Sequence, residues 1–217
     1  MLPSIIFDMD GTLFQTNKIL ELSLEDTFNR LRENGFWGQA TPIEQYRMIM
    51  GVPLRKVWET LLPDHSNEIR EQANEFFHER LIGNIKHGNG ALYPNAEEVL
   101  GNLKAMDCSI FIASNGLIEY LSAIVDFYGL NKWVTETFSI QQINSLDKAD
   151  LIGMIIKKYN LNNAAVVGDR ISDIKAAKQN GLIAIGCNFD FAQEDELSHA
   201  DIVIGDLIEL KTIVHKV

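Results

Sequence analysis

The sequence predicts an α/β protein with a doubly wound, Rossmann-like parallel sheet and an inserted all-helical segment. From Leu92 onward, short apolar runs alternate with helical patterns, which is typical of parallel β-α units. Between about residue 17 and residue 86 the apolar residues instead recur at helical spacing, without a run typical of a buried parallel strand. We therefore expect a core formed by residues 1–15 and 88–217 and a helical insertion formed by residues 16–87.

A turn with two acidic residues follows the first predicted strand. Residues 5–7 (Ile-Ile-Phe) form a continuous apolar run, as expected for a parallel strand that is buried on both faces. Asp8 and Asp10 come next, at the edge where open parallel sheets bind ligands. Two carboxylates this close disfavour double ionisation unless a cation lies between them, so the pair predicts a Mg²⁺ site. Gly11 permits a tight turn, and Thr12 can donate a hydrogen bond to an anion. Taken alone, the segment also fits an ordinary solvated turn.

Four helices are predicted within the insertion. The first ends before Gly35, and the others are expected at residues 42–50, 54–62 and 68–85. The return to the core is predicted at Gly83, Gly88 and Gly90.

The remainder of the core is predicted to alternate between strands and helices. Pro94 and the acidic residues after it open a helix, because the positive end of the helix dipole favours acidic side chains. Strands are expected at residues 109–113, 164–167, 183–185 and 201–204, and helices at about 118–128, 148–159 and 172–180.

The composition argues against several classes of function. The formal net charge is −11 and the sequence pI is about 4.9, so we expect no basic surface for nucleic acid or an anionic membrane. Apolar runs are shorter than the roughly 18 residues of a membrane span. Cys108 and Cys187 lack metal-ligand spacing and are predicted to be reduced, buried thiols. We expect a cytoplasmic protein that is a monomer or a weak homodimer.

A serine and an asparagine follow the predicted strand at residues 109–113. Ser114 offers a hydroxyl, and the backbone N–H groups around Asn115 lie just before a helix, where anions bind. A serine at this position is also a common helix cap.

A lysine and two aspartates complete the candidate site. Lys148 opens a predicted helix, which is an unfavourable position for a cation unless it has a specific partner. Asp169 follows the strand at residues 164–167, and Asp173 lies on the first turn of the next helix, so both can face one cation.

These features resemble, in order, the four motifs of the haloacid dehalogenase superfamily, in the form carried by its phosphatases. The motifs are Phe7–Leu13 (FDMDGTL), Ser114–Gly116 (SNG), Lys148 and Gly168–Ala177 (GDRISDIKAA). The resemblance covers residues 4–14 and 92–190, and the inserted helices resemble the family's cap in position and character. One departure is Asn95, where many relatives carry glycine.

The resemblance implies Mg²⁺-dependent hydrolysis of a small phosphorylated metabolite through an aspartyl phosphate, as in phosphoglycolate phosphatases. Asp8 would be the nucleophile, and Asp10 would be the general acid and then base. The implied metal ligands are Asp8, Asp10 through its backbone carbonyl, Asp169 and Asp173. The implied phosphate-binding or substrate-binding residues are Thr12, Ser114, Asn115 and Lys148, with Arg55 of the cap as a candidate for the leaving group.

Two alternatives stay open at this point. A phosphosugar mutase resembling β-phosphoglucomutase keeps the same four motifs, and a non-catalytic phosphate-binding protein could retain them as well. Asp10 argues against dehalogenases and phosphonatases, because the members of the superfamily with those activities lack an acid at this position.

Overall fold

The core unit contains an all-parallel sheet. The computed structural model describes residues 3–49, 54–190 and 192–215. Within these, the strands are β1 (Ser4–Phe7), β2 (Ile110–Ser114), β3 (Glu136–Ser139), β4 (Ala164–Gly168), β5 (Ile183–Cys187) and β6 (Ile202–Ile204). Their order is β3-β2-β1-β4-β5-β6, and every pairing is parallel. The predicted doubly wound α/β fold is confirmed.

A second compact unit, residues 17–90, is helical in its described part. Its helices are α1 (Asn17–Glu33), α2 (Ile43–Met48), α3 (Leu54–Leu61) and α4 (Asn67–Lys86). Phe28, Trp58 and Phe77 are fully buried within it, and the rings of Trp58 and Phe77 meet edge-on with centroids 5.6 Å apart. Met50, the predicted end of the second helix, lies outside the described residues.

Gly83 was predicted both within the helix at residues 68–85 and at the return to the core, and only the helix is confirmed. This glycine lies inside α4 rather than in the return to the core, and a Cβ added to it would meet nothing within 4 Å. A glycine inside a helix is about 1 kcal/mol less favourable than an alanine, and the packing of a long helix can offset this cost. The helix ends instead before Gly88, whose φ of +76° suits glycine.

The core unit comprises residues 1–16 and 91–217. Its helices are α5 (Ala96–Ala105), α6 (Ile118–Phe127), α7 (Lys148–Tyr159), α8 (Ile171–Gln179), α9 (Glu194–Leu197) and α10 (Leu210–Ile213). Asn95 precedes α5 with a φ of +64°, a conformation that asparagine tolerates better than most residues, and its side chain donates to Asp206. This accounts for the departure from glycine at this position.

Both faces of the sheet are buried. Ile6, Phe111 and Val166 lie side by side in register and pack in one cluster with residues of α7 and α8. Ile5 and Phe7 point to the opposite face and are also buried. Burial on both faces explains why the central strands are continuous apolar runs. Within the described residues no helix has the length and apolar character needed to cross a bilayer.

Candidate active site

Three aspartates meet at the carboxyl edge of the central strands. Asp8 follows β1, and its backbone N–H donates to the carbonyl of Val167 in β4 at 2.8 Å. Asp169 follows β4, and Asp173 lies on the first turn of α8, where its Oδ2 accepts from the backbone N–H of Arg170 at 3.1 Å. Because β1 and β4 pair in parallel, their carboxyl ends are neighbours. One carboxylate oxygen from each aspartate lies within 4.8 Å of the others.

The acid cluster, defined as Asp8, Asp169 and Asp173, is buried: its members are 7%, 1% and 1% exposed. Lys148 lies among them, with Nζ 2.6 Å from Asp8 Oδ1 and also in contact with Asp173 Oδ1. The lysine side chain is 4% exposed, so it is not a solvated surface lysine. Three carboxylates against one ammonium leave an excess of negative charge when all are ionised. Buried oxygen donors with that excess fit a hard divalent cation.

Two glycines make the space for this cluster. A Cβ on Gly11 would lie 2.4 Å from Asp169 Oδ2, and the residue has a φ of +76°. A Cβ on Gly168 would lie 2.2 Å from Asp173 Cγ. Both distances are shorter than real Cβ contacts allow, so a side chain at either position would displace an aspartate. The sequence predicted Gly11 only as a turn residue and gave no role to Gly168.

The side chain of Asp10 has hydrogen-bond partners of its own. Its Oδ1 accepts hydrogen bonds from Thr16 Oγ1 and from the Tyr120 hydroxyl, both at 2.5 Å. Asp10 is not a member of the acid cluster. Tyr120 was not predicted from the sequence, because nothing in a helical tyrosine indicates a partner 110 positions away.

The predicted phosphate-binding residues differ in their surroundings. Thr12 is fully buried, and its hydroxyl donates to Asp169 Oδ1 at 3.2 Å. Ser114 is buried at the end of β2, where its Oγ accepts from the backbone N–H of Gly116 at 3.0 Å. Asn115, by contrast, is exposed.

Arg55, the candidate from the helical unit, has a side chain that is 87% exposed. It lies 3.4 Å from Glu59, one turn further along α3. Its role toward a leaving group stays a prediction.

Burial changes the protonation of the site. It raises the pKa of Asp8 well above its usual range, against the opposing effect of Lys148. It raises the pKa of Asp169 to about 7, and the charge of Asp173 adds to this shift. Burial also raises the pKa of Asp10, although its two hydrogen bonds act in the opposite direction. Burial lowers the pKa of Lys148, but Asp173 and Asp8 outweigh that effect and leave it raised. The lysine therefore stays charged. Asp8, Asp10 and Asp169 keep their protons to a higher pH than solvated aspartates do.

The arrangement brings together a carboxylate in contact with an ammonium, three buried carboxyl groups that could hold a metal ion, and a carboxyl group with two hydroxyl donors. Residues 5–187 match the model of the haloacid dehalogenase-like hydrolase family. The chain belongs to this family. The match spans the strands β1 to β5 and includes both the acid cluster and Asp10.

Curated relatives of the chain are phosphatases by name. Pyrophosphatase PpaX of Listeria monocytogenes is 22% identical over 97% of this chain and 95% of its own length. Phosphoglycolate phosphatase of Vibrio vulnificus is 23% identical over the same shares of the two chains. The predicted enzyme class, a phosphatase among the haloacid dehalogenase-like hydrolases, is confirmed by these likenesses.

Solved structures agree on the fold. The crystal structure of a predicted phosphoglycolate phosphatase from Haemophilus somnus superposes with a TM-score of 0.85 at 19% identity, covering 98% of this chain and 97% of the other. At this identity the likeness shows the fold alone.

Proposed function

We propose that the chain is a Mg²⁺-dependent phosphatase that hydrolyses a small phosphomonoester through an aspartyl phosphate on Asp8. The observation that carries the proposal is the buried acid cluster around Lys148, together with a further carboxyl group, Asp10, that accepts hydrogen bonds from Thr16 and Tyr120. A nucleophilic aspartate must be ionised, whereas a general acid must hold a proton. Asp8 contacts the ammonium of Lys148, and Asp10 accepts hydrogen bonds from two hydroxyl groups, so their surroundings differ as the two roles require.

The donor set of the acid cluster supports Mg²⁺. Carboxylate oxygens of Asp8 and Asp169, with the backbone carbonyl of Asp10, would hold the cation, and Asp173 would support it. When bound, the cation neutralises charge on the cluster and on the phosphoryl oxygens of the substrate.

In the first step, a carboxylate oxygen of Asp8 attacks phosphorus in line with the leaving oxygen. The bond from phosphorus to the leaving oxygen breaks, and Asp10 donates its proton to that oxygen. Lys148, Thr12 and Ser114 stabilise the negative charge on the transferring phosphoryl group. The products of this step are an alcohol and an aspartyl phosphate.

In the second step, Asp10 acts as a base. Its carboxylate takes a proton from water, whose oxygen attacks phosphorus, and the bond between phosphorus and Asp8 breaks. Inorganic phosphate leaves, the carboxylate of Asp8 is restored, and Asp10 holds the proton that the next turnover requires.

Two substrates have specific support. A phosphoglycolate-like ester is supported by the motif resemblance and by the relative from Vibrio vulnificus. Pyrophosphate is supported by the relatives called pyrophosphatase PpaX. The two differ in their leaving groups: a glycolate alkoxide needs a proton from Asp10, whereas phosphate is a good leaving group. Asp10→Asn should therefore lower kcat/KM far more for phosphoglycolate than for pyrophosphate, whichever is the better substrate.

The experiment is phosphate release by the purified protein after treatment with EDTA, with and without added Mg²⁺. We expect turnover only with the metal, loss of turnover in Asp8→Asn, and normal turnover in Asp126→Asn, which changes an exposed aspartate of α6. Acid quenching with a labelled phosphate ester should trap label on the wild-type protein and not on Asp8→Asn. Full turnover by Asp8→Asn, or in the presence of EDTA, would contradict the mechanism.

Phosphate release distinguishes the phosphatase from both alternatives, and the isomerisation of a phosphosugar distinguishes the alternatives from each other. A mutase would isomerise a phosphosugar without releasing phosphate, and a sensor would bind phosphate without turning over any ester. The cytoplasmic location, the monomer or weak homodimer and the cap role of the helical unit stay predictions.

A further inference from the structure

Tyr120 contacts the carboxyl group that acts as acid and base in the proposed mechanism. The residue lies in the first turn of α6 and is 5% exposed. Its hydroxyl donates to Asp10 Oδ1 at 2.5 Å, and Thr16 Oγ1 donates to the same oxygen at the same distance. Two hydroxyl donors from different parts of the core unit therefore converge on one atom.

The start of α6 is fixed in place by its neighbours. The backbone N–H of Ile118 donates to Gln141 Oε1 at 2.8 Å, and Ser139 Oγ donates to the carbonyl of Gly116 at 2.6 Å. A Cβ on Gly116 would lie 3.1 Å from Cδ1 of the Tyr120 ring, so the glycine allows the ring to pack closely. The segment after β3 and the glycine together set the position of the hydroxyl.

Two hydrogen bonds on Oδ1 determine which oxygen of Asp10 carries the proton. A carboxyl oxygen has two lone pairs in the plane of the group, and two donors at hydrogen-bond distance occupy them. The proton of the neutral acid is then directed to Oδ2. We propose that Tyr120 is a positioning residue that, with Thr16, keeps Oδ1 as the accepting oxygen so that Asp10 transfers its proton through Oδ2. This inference rests on the proposed function.

Loss of the Tyr120 hydroxyl should slow the hydrolysis of some esters more than that of others. Loss of the tyrosine hydroxyl leaves Oδ1 with one donor, so the proton can occupy either oxygen and the carboxyl group can rotate. The proton transfer to the leaving oxygen then becomes less efficient, while the attack by Asp8 is unchanged. Esters with basic leaving groups depend on that proton, and esters with very acidic leaving groups do not.

The experiment measures kcat/KM for phenyl, nitrophenyl and dinitrophenyl phosphate, which differ in the basicity of the leaving group. In Tyr120→Phe we expect a loss of about 10- to 100-fold on phenyl phosphate, as for a misplaced catalytic group, and of no more than about twofold on dinitrophenyl phosphate. Tyr128→Phe is the matched control, because the Tyr128 hydroxyl is buried and has no hydrogen-bond partner within the described residues. It should behave as the wild type on every ester.

A second arm uses Asp10→Asn on whichever ester the enzyme hydrolyses. If Tyr120 acts through Asp10, adding Tyr120→Phe to Asp10→Asn costs nothing further, because the two effects are not additive. Equal losses on all three esters, or a further loss in the double variant, would overturn the positioning role and leave the proposed function standing. A wild-type protein that hydrolyses no phosphate ester would instead overturn the proposed function, and the positioning role with it.

Discussion

Asp169→Asn is expected to stabilise the metal-free protein above neutral pH while it abolishes activity. In the native protein, burial and the charge of Asp173 raise the pKa of Asp169 from 3.8 to about 7. Between these two values the unfolded chain releases its proton more readily than the folded one. Folding therefore becomes less favourable as pH rises from about 4 to about 7. An asparagine has no proton to lose, and its Oδ1 can still accept from Thr12.

The magnitude follows from the size of the shift. About three pH units at about 1.36 kcal/mol per unit give a maximum penalty of about 4 kcal/mol in the metal-free wild type at pH 8. Of this, about 2 to 3 kcal/mol arises between pH 5 and pH 8, since the unfolded carboxyl group is already ionised at pH 5. Burial also lowers the pKa of His78, which adds stability as pH rises toward 6.5. Because His78 is present in both proteins, its contribution cancels when the free energy of unfolding of the variant is compared with that of the wild type.

The assay is urea unfolding in EDTA at pH 5 and pH 8, followed by circular dichroism. The free energy of unfolding of Asp169→Asn should exceed that of the wild type by more at pH 8 than at pH 5, by about 2 to 3 kcal/mol. Asp126→Asn should show no such pH-dependent gain, and Mg²⁺ should raise the stability of the wild type selectively. The reasoning fails if Asp169→Asn is no more stable than the wild type at pH 8, or if its gain is the same at both pH values.

Three further predictions follow from the site and the helical unit. Gly11→Ala should abolish phosphate release, because its Cβ would lie 2.4 Å from Asp169 Oδ2, and it should destabilise the protein by about 1 to 3 kcal/mol, with wild-type activity as the contradicting result. Lys148→Met should cost about 3 to 5 kcal/mol of metal-free stability in urea unfolding, whereas Lys157→Met, an exposed position on the same helix, should cost less than about 0.5 kcal/mol. Equal losses of stability in the two lysine variants would show that the buried contacts of Lys148 do not stabilise the protein. Arg55→Ala should raise KM for the preferred metabolite and not for a small aryl phosphate, and steady-state kinetics with equal changes for both would exclude a leaving-group contact.

The sequence was sufficient to predict the central part of the sheet and the position of the acid cluster. The strands at residues 4–7, 110–114 and 164–168 are buried on both faces, and their apolar runs have no other ready explanation. Because acidic residues follow two of these strands directly, the parallel fold brings them to one edge. The motif resemblance then supplied the chemical roles.

The strand β3 was missed because it lies at the edge of the sheet. Its sequence, Glu-Thr-Phe-Ser, has one apolar residue in four, and Glu136 forms an ion pair with Lys158 instead of packing in the core. Thr137 and Phe138 are residue types enriched in strands, which was a weak signal that a propensity count could have found. The contacts of Tyr120 and the packing of Gly168 had no comparable signal, since both depend on which distant residues the fold places beside them.

The strands lie in the sheet in an order that differs from the order in which they are synthesised. The strand β1 is made first, yet Ile5 pairs with Ile110 on one side and with Ala165 on the other. While the chain grows, this apolar strand has both edges unpaired until β2 is made and one edge unpaired until β4 has emerged from the ribosome, and unpaired edges favour aggregation. The helical residues 17–90 form a compact unit of their own and can fold in the meantime. Asp8 therefore has neither Lys148 nor the other two members of the acid cluster beside it during most of synthesis, and an incomplete chain that ends before β4 lacks a complete acid cluster.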